Sequence, residues 1–243
     1  MKILAIGNSF SQDATRYLRE IAASAGEDLF VRNLYIGGCS LQMHADNIES
    51  NAPSYVYETD AHGTEKISIP DALMREAWDY VTVQQVSGQS GKSESYEPYL
   101  SYILKTIKEA CPGAEILFHR TWAYEIGSGH RDFVLYNNSQ LEMYGAIVAA
   151  TAEIAARHGI RIIPVGDFIQ VLRGIPPFDY KNGGMTLCRD NFHLSFDYGR
   201  YAAGLCWFKF FTGRNAGDVT FVPENADASL VGVINKTVDM LYI

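Results

Sequence analysis

Two short segments carry residue types and spacings that do nucleophilic chemistry. The first, Gly7-Asn8-Ser9-Phe10-Ser11, follows an apolar run and precedes a helical pattern. A glycine there allows a tight turn, a serine sits at a sheet edge, and helix N-terminal N–H groups can hold an oxyanion. On position alone the segment fits an ordinary strand-to-helix loop at least as well, because such loops use Gly, Asn and Ser. The second, Asp190-Asn191-Phe192-His193, lies near the other end of the chain and is followed by Leu194-Ser195. An Asp three residues before a His lets the carboxylate hold the δ nitrogen, leaving the ε nitrogen to take a proton from a serine. A helix-capping Asp beside a surface histidine, or a pair of metal ligands, has the same spelling. Taken together, the order Ser…Asp…His is the one a serine esterase needs.

These segments need a scaffold that brings the chain ends together. Short β-rich apolar runs at Lys2–Ile6, Leu29–Tyr35, Tyr80–Gln85, Glu115–His119 and Arg161–Pro164 alternate with helical patterns. That is the signature of an α/β protein with a parallel five-stranded sheet covered on both faces. Leu18, Ile21, Ala22 and Ala25 mark one helix ending at Gly26, with Ser11 or Asp13 as its cap. The longest helix is expected from about Asp132 to His158, stopped by Gly159, and two more follow Ser195 and Ala226. Residues 54–70 break the alternation and read as a small surface hairpin around Ala61-His62-Gly63-Thr64. No repeat or linker interrupts residues 1–243, which predicts one domain. In open parallel sheets the ligand lies beyond the carboxyl ends of the strands, where both chemical segments fall.

With these residues in place, the chain resembles the SGNH (GDSL-like) hydrolase superfamily. Gly7-Asn8-Ser9-Phe10-Ser11 is similar to its first block, and Asn33-Leu34-Tyr35-Ile36-Gly37-Gly38-Cys39-Ser40 to its second. Asp190-Asn191-Phe192-His193 resembles its last block, and the blocks occur in order along almost the whole chain. The resemblance implies a three-layer αβα sandwich, flavodoxin-like in its sheet. It implies Ser9 as nucleophile, His193 as general base and acid, Asp190 as the orienting carboxylate, and the N–H groups of Ser9 and Gly38 in the oxyanion hole. The third block departs: the superfamily's Gly-x-Asn-Asp is replaced by Val83-Gln84-Gln85-Val86-Ser87-Gly88-Gln89-Ser90-Gly91. A Gln amide supplies the same N–H from a longer arm. Gln85 is the first candidate, sharing a strand face with Val81 and Val83; Gln89 matches, by spacing, an Asn of sialate acetylesterase-like members. The segment ending Gly91-Lys92-Ser93 approaches a phosphate loop, but Pro98 places the next helix too late.

Composition narrows the partners. Lys and Arg number 20 against 28 Asp and Glu, a net charge of −8, and the nearest basic run is only Arg157 to Arg161. Nucleic acid needs clustered cations and is not expected. No apolar stretch approaches the ~20 residues of a membrane span. Met1-Lys2 runs straight into Ile3-Leu4-Ala5-Ile6 without a signal peptide, so the expected place is cytoplasmic if the sequence is complete, and periplasmic or secreted if a leader was trimmed. Cys39, Cys111, Cys188 and Cys206 lack zinc spacing and are expected as buried free thiols, and the histidines are scattered, so no metal or cofactor is expected. Trp122 and Tyr124 follow the fourth strand, where a substrate wall would lie, although aromatic residues of this kind more often fill cores. The expectation is a cofactor-free serine esterase acting on a small-molecule or glycan ester, foremost an O-acetyl or O-acyl carbohydrate. Its competitors are a lipid or acyl-thioester hydrolase of the same superfamily and a catalytically weakened carbohydrate-binding protein; the oligomeric state is left open.

Overall fold

The computed structural model describes residues 1–241. Five strands, β1 (Lys2–Gly7), β2 (Phe30–Tyr35), β5 (Tyr80–Val83), β6 (Glu115–His119) and β7 (Arg161–Ile163), run parallel in the order β2-β1-β5-β6-β7. The expected sheet ended there; the observed one has seven strands. β3 (Tyr55–Glu58) pairs antiparallel with β2, and β4 (Lys66–Ile67) pairs with β3. The 54–70 segment therefore extends the sheet and covers the β2 edge, whose backbone groups would otherwise be unpaired.

Alternation along the strands builds two cores. Ile3 and Ala5 of β1 face one side, with α1 (Ser9–Thr15), α2 (Leu18–Ser24), α7 (Val165–Leu172), α8 (Tyr198–Thr212) and α9 (Ala228–Asp239). Leu4 and Ile6 face the other, with α3 (Leu41–Glu49), α4 (Ile69–Leu73) and α5 (Tyr99–Ala110). The last helix, α6 (Gln140–His158), gives Met143 and Ile147 to the first core and Ala150 and Ile154 to the second. The result is helix, sheet and helix in three layers. The register aligns Leu34, Ile6, Val83, Phe118 and Ile162 across the sheet, one residue short of its carboxyl edge.

Two helical expectations are corrected. The stretch before Gly26 forms two helices, and the cap is Asn8, whose side chain accepts from the Phe10 N–H, rather than Ser11 or Asp13. The long helix starts at Gln140, not Asp132, because Asn137 and Asn138 both adopt left-handed φ (54° and 52°). Residues 131–136 before them form a tighter 3-10 turn, and Ser139 then caps the helix proper. All four cysteines are buried and unpaired.

Two buried histidines make the fold sensitive to acid. His44 bonds Tyr55 through Nδ1, and His119 bonds Gln84, while neither Nε2 has a partner among the described residues. Burial pushes each ring down from 6.5 to about 3. Between those values the unfolded chain binds protons that the folded chain excludes, so stability is full above ~6.5 and lost as pH falls. Each ring should add about 1.4 kcal/mol per pH unit to the slope of unfolding free energy within that window. Denaturant titrations from pH 7 to 4 should show that slope reduced in His44→Asn and in His119→Gln; slopes equal to the parent's would contradict it.

Candidate active site

β1 delivers Asn8 and Ser9 to the carboxyl edge, and α1 begins at Ser9. The turn requires Gly7, since a Cβ there would lie 2.4 Å from Ser11 Oγ and 3.0 Å from the Gln84 side chain. The last block arrives from the far end of the chain. Ser9 Oγ lies 2.8 Å from Nε2 of His193, and Nδ1 of His193 lies 2.7 Å from Oδ2 of Asp190. A ring nitrogen facing a carboxylate carries the proton, so Nε2 presents its lone pair and the Ser9 hydroxyl donates to it. Partial burial works to raise the Asp190 carboxyl, but the His193 ring and the backbone N–H groups of His193 and Phe192 outweigh it and hold the carboxyl below its ordinary value.

Two backbone donors flank Ser9. Its own N–H, at the first position of α1, and that of Gly38 make no hydrogen bond among the described residues. Gly38 holds φ +65°, a conformation glycine adopts freely, in an exposed turn after β2. Asn8 Nδ2 fixes that turn by donating to the Cys39 carbonyl at 3.0 Å. Ser9, Gly38 and His193 line one cleft of about 260 Å³, rimmed by Tyr35, His130 and Arg131. A larger hollow of about 570 Å³, between the start of α6 and the end of α7, contains neither Ser9 nor His193.

A family model for a domain of unknown function, DUF4886, matches residues 2–238. The chain belongs to the DUF4886 family. A crystal structure of a DUF4886 family protein from Bacteroides uniformis is 39% identical and superposes with a TM-score of 0.88, covering 99% of this chain and 92% of that one. More distant structures share the fold of SGNH hydrolases. A candidate SGNH hydrolase from Slackia heliotrinireducens is 22% identical at a TM-score of 0.57, covering 87% of this chain and 98% of that one. An acetyl xylan esterase is 11% identical at 0.58, covering 85% and 98%. Comparison with curated proteins returns no match.

In this DUF4886 chain the other residues singled out from the sequence lie elsewhere. Gln85 does not face Ser9: its Oε1 accepts from the N–H groups of Leu41 and Val86, and its Nε2 donates to Ser95. Alternation explains this, because Val81, Val83 and Gln85 turn toward the α3 and α5 core while α1 packs on the opposite face. Gln89 is exposed and does not line the cleft. Trp122 and Tyr124 are fully buried and present no surface to a substrate. Trp122 instead supports the site from behind, stacked on Phe10 at 4.1 Å and donating its indole N–H to the Phe192 carbonyl.

The residues that the sequence did not reveal are positional. Gln84, the neighbour of the expected glutamine, donates to Asn8 Oδ1 and accepts from Nδ1–H of His119, each at 2.8 Å. Asp13, one turn after Ser9 on α1, is fully buried. Its carboxylate accepts from Arg189 at 3.0 and 3.1 Å, from Arg200 at 2.7 Å, and from the Leu194 N–H at 2.9 Å. Those partners bracket Asp190 and His193, so one helix carries both the serine and the anchor of the histidine segment. The only hint in the sequence was arginine on one side of the Asp-x-x-His segment and a second arginine shortly after it. No group of three or more His, Cys, Asp or Glu side chains has metal-binding geometry among the described residues.

Asp13→Asn leaves two arginines without their charge partner. It should lower unfolding free energy by about 3 kcal/mol, read by chemical denaturation. Modification of Ser9 by a serine-directed probe should slow in the same variant, because the histidine segment loses its anchor. Unchanged stability and unchanged labelling would show that Asp13 anchors nothing of consequence.

Proposed function

We propose that the chain is a serine esterase that removes a small acyl group, foremost O-acetyl, from a carbohydrate. The observation that carries this reading is the continuous contact from Asp190 through His193 to the Ser9 hydroxyl, beside two unspent backbone N–H groups. Ser9 Oγ attacks the acyl carbon while its proton passes to His193 Nε2. The charge that collects on the carbonyl oxygen is met by the N–H groups of Ser9 and Gly38. The tetrahedral intermediate collapses as His193 returns the proton to the leaving alcohol, giving the acyl-enzyme. Water, deprotonated by His193, then adds to the acyl carbon, and expulsion of Ser9 Oγ with that proton releases the acid. Asp190 stays ionised throughout and steadies the imidazolium.

The preference for a short acyl group and a polar alcohol rests on the cleft. About 260 Å³ accommodates an acetyl group and part of a sugar, and a charged and aromatic rim of Arg131, Asp132, His130 and Tyr35 suits hydroxyl-bearing alcohols. An acetyl xylan esterase having the same fold supports this direction. The sequence-based lean toward sugars drew on Trp122 and Tyr124 and on the resemblance to sugar acetylesterases; with the two aromatics in the core, half-buried Tyr35 and Phe192 are aromatic residues that line the cleft.

A fluorophosphonate should label Ser9, located by mass spectrometry, and the adduct should be absent from Ser9→Ala and strongly reduced in His193→Ala. Acetylated sugars should turn over faster than long-chain aryl esters or acyl thioesters. An adduct elsewhere, or none, would sink the esterase reading and leave glycan binding to be measured.

A further inference from the structure

Ser87 lines the same cleft as Ser9 and Gly38, just beyond the carboxyl end of β5, which pairs with β1. Its hydroxyl has one partner among the described residues, the Tyr124 hydroxyl at 2.9 Å. Which oxygen donates is fixed by the chain of contacts behind it. The backbone N–H of Asp132 donates to His130 Nδ1 at 3.2 Å, and a nitrogen that accepts carries no proton. Burial holds the His130 ring below its ordinary value, so it is neutral and its single proton is on Nε2. Nε2 faces the Tyr124 oxygen at 3.5 Å, a long contact in which the imidazole is the donor. The Tyr124 proton is thereby directed to Ser87 Oγ, and the Ser87 proton is left without an internal acceptor among the described residues, in a residue that lines the cleft.

We infer that the Ser87 hydroxyl is a third donor to the oxyanion formed on Ser9, an inference that rests on the serine-esterase reading. Beyond accepting from Tyr124, the hydroxyl makes no bond that holds the backbone. It caps no helix: it does not bond the 3-10 turn that begins at Ser87, and the turn is held instead by Ser90, whose hydroxyl donates to the Ser87 carbonyl. Both glutamines that precede it are occupied, Gln85 by Leu41, Val86 and Ser95, and Gln84 by Asn8 and His119. Tyr124, buried and remote from substrate, acts as a positioning residue that turns the Ser87 proton outward.

The test combines labelling with kinetics on one short aryl acetate. Wild type, Ser87→Ala, Ser87→Thr and Tyr124→Phe are first treated with a fluorophosphonate and the adduct on Ser9 is located. In fresh, unlabelled protein of the variants shown to label at Ser9, Ser87→Ala should lower kcat roughly 100-fold, the effect of removing one oxyanion donor, with KM little changed. Ser87→Thr, which keeps the hydroxyl, should recover most of that loss, and Tyr124→Phe should fall between wild type and Ser87→Ala. A Ser87→Ala variant that still labels at Ser9 and keeps kcat within about threefold of wild type overturns the Ser87 role while leaving the esterase reading standing. Wild-type protein that fails to label at Ser9 overturns both.

Discussion

The geometry around Ser9 depends on how the side chain of Asn8 is spent. It is almost completely buried, and each polar atom it carries is used. Oδ1 accepts from the Phe10 N–H, which starts α1, and from Gln84 Nε2, which fixes the end of β5; Nδ2 donates to the Cys39 carbonyl, which fixes the turn after β2. A buried amide left half-satisfied costs more than its bonds return, so the three loops are held together by the penalty of separating them. Ser9 and Gly38 inherit their relative placement from this single residue. Without it, the turns that carry these two N–H groups would lose the side-chain tether they share.

Electrostatics does for the histidine what hydrogen bonding does for the serine. Asp13 faces two arginines and a backbone N–H in an interior where an unpaired carboxylate would be untenable. Because Asp13 and Ser9 share α1, a rigid-body shift of that helix carries the serine and the anchor of His193 together. The distance between Ser9 and His193 is then insulated from relaxation elsewhere. Glu125 and Trp122 add to this from β6's trailing loop, through the Asn191 and Phe192 carbonyls, so the irregular 189–194 segment is gripped on several sides.

How much of this was legible in the sequence follows from range. Gly7-Asn8-Ser9 and Asp190-x-x-His193 are local patterns whose chemistry is written in adjacent residues, and the strands around them are continuous apolar runs. What escaped depended on which face a residue takes. Gln84 and Gln85 are identical in type and differ by one position, yet alternation sends one beneath Asn8 and the other among α3 and the 95 loop. The choice needs the knowledge that α1 lies on the first core's side. Asn137 and Asn138 hid the break before α6 because helical spacing of apolar residues continues across them. β3 and β4 were readable as a hairpin, but not the pairing of β3 with the β2 edge, which is a long-range contact.

Two polar chains thus converge on the cleft with opposite characters. The His119–Gln84–Asn8 chain is fully buried, and apart from His119 Nε2 each of its side-chain polar atoms is bonded within the protein, so it holds position. The His130–Tyr124–Ser87 chain starts at the rim and ends in a hydroxyl whose proton has no internal acceptor among the described residues. A site that stabilises developing charge needs both kinds: a framework that does not reorganise, and donors whose capacity is kept for the transition state.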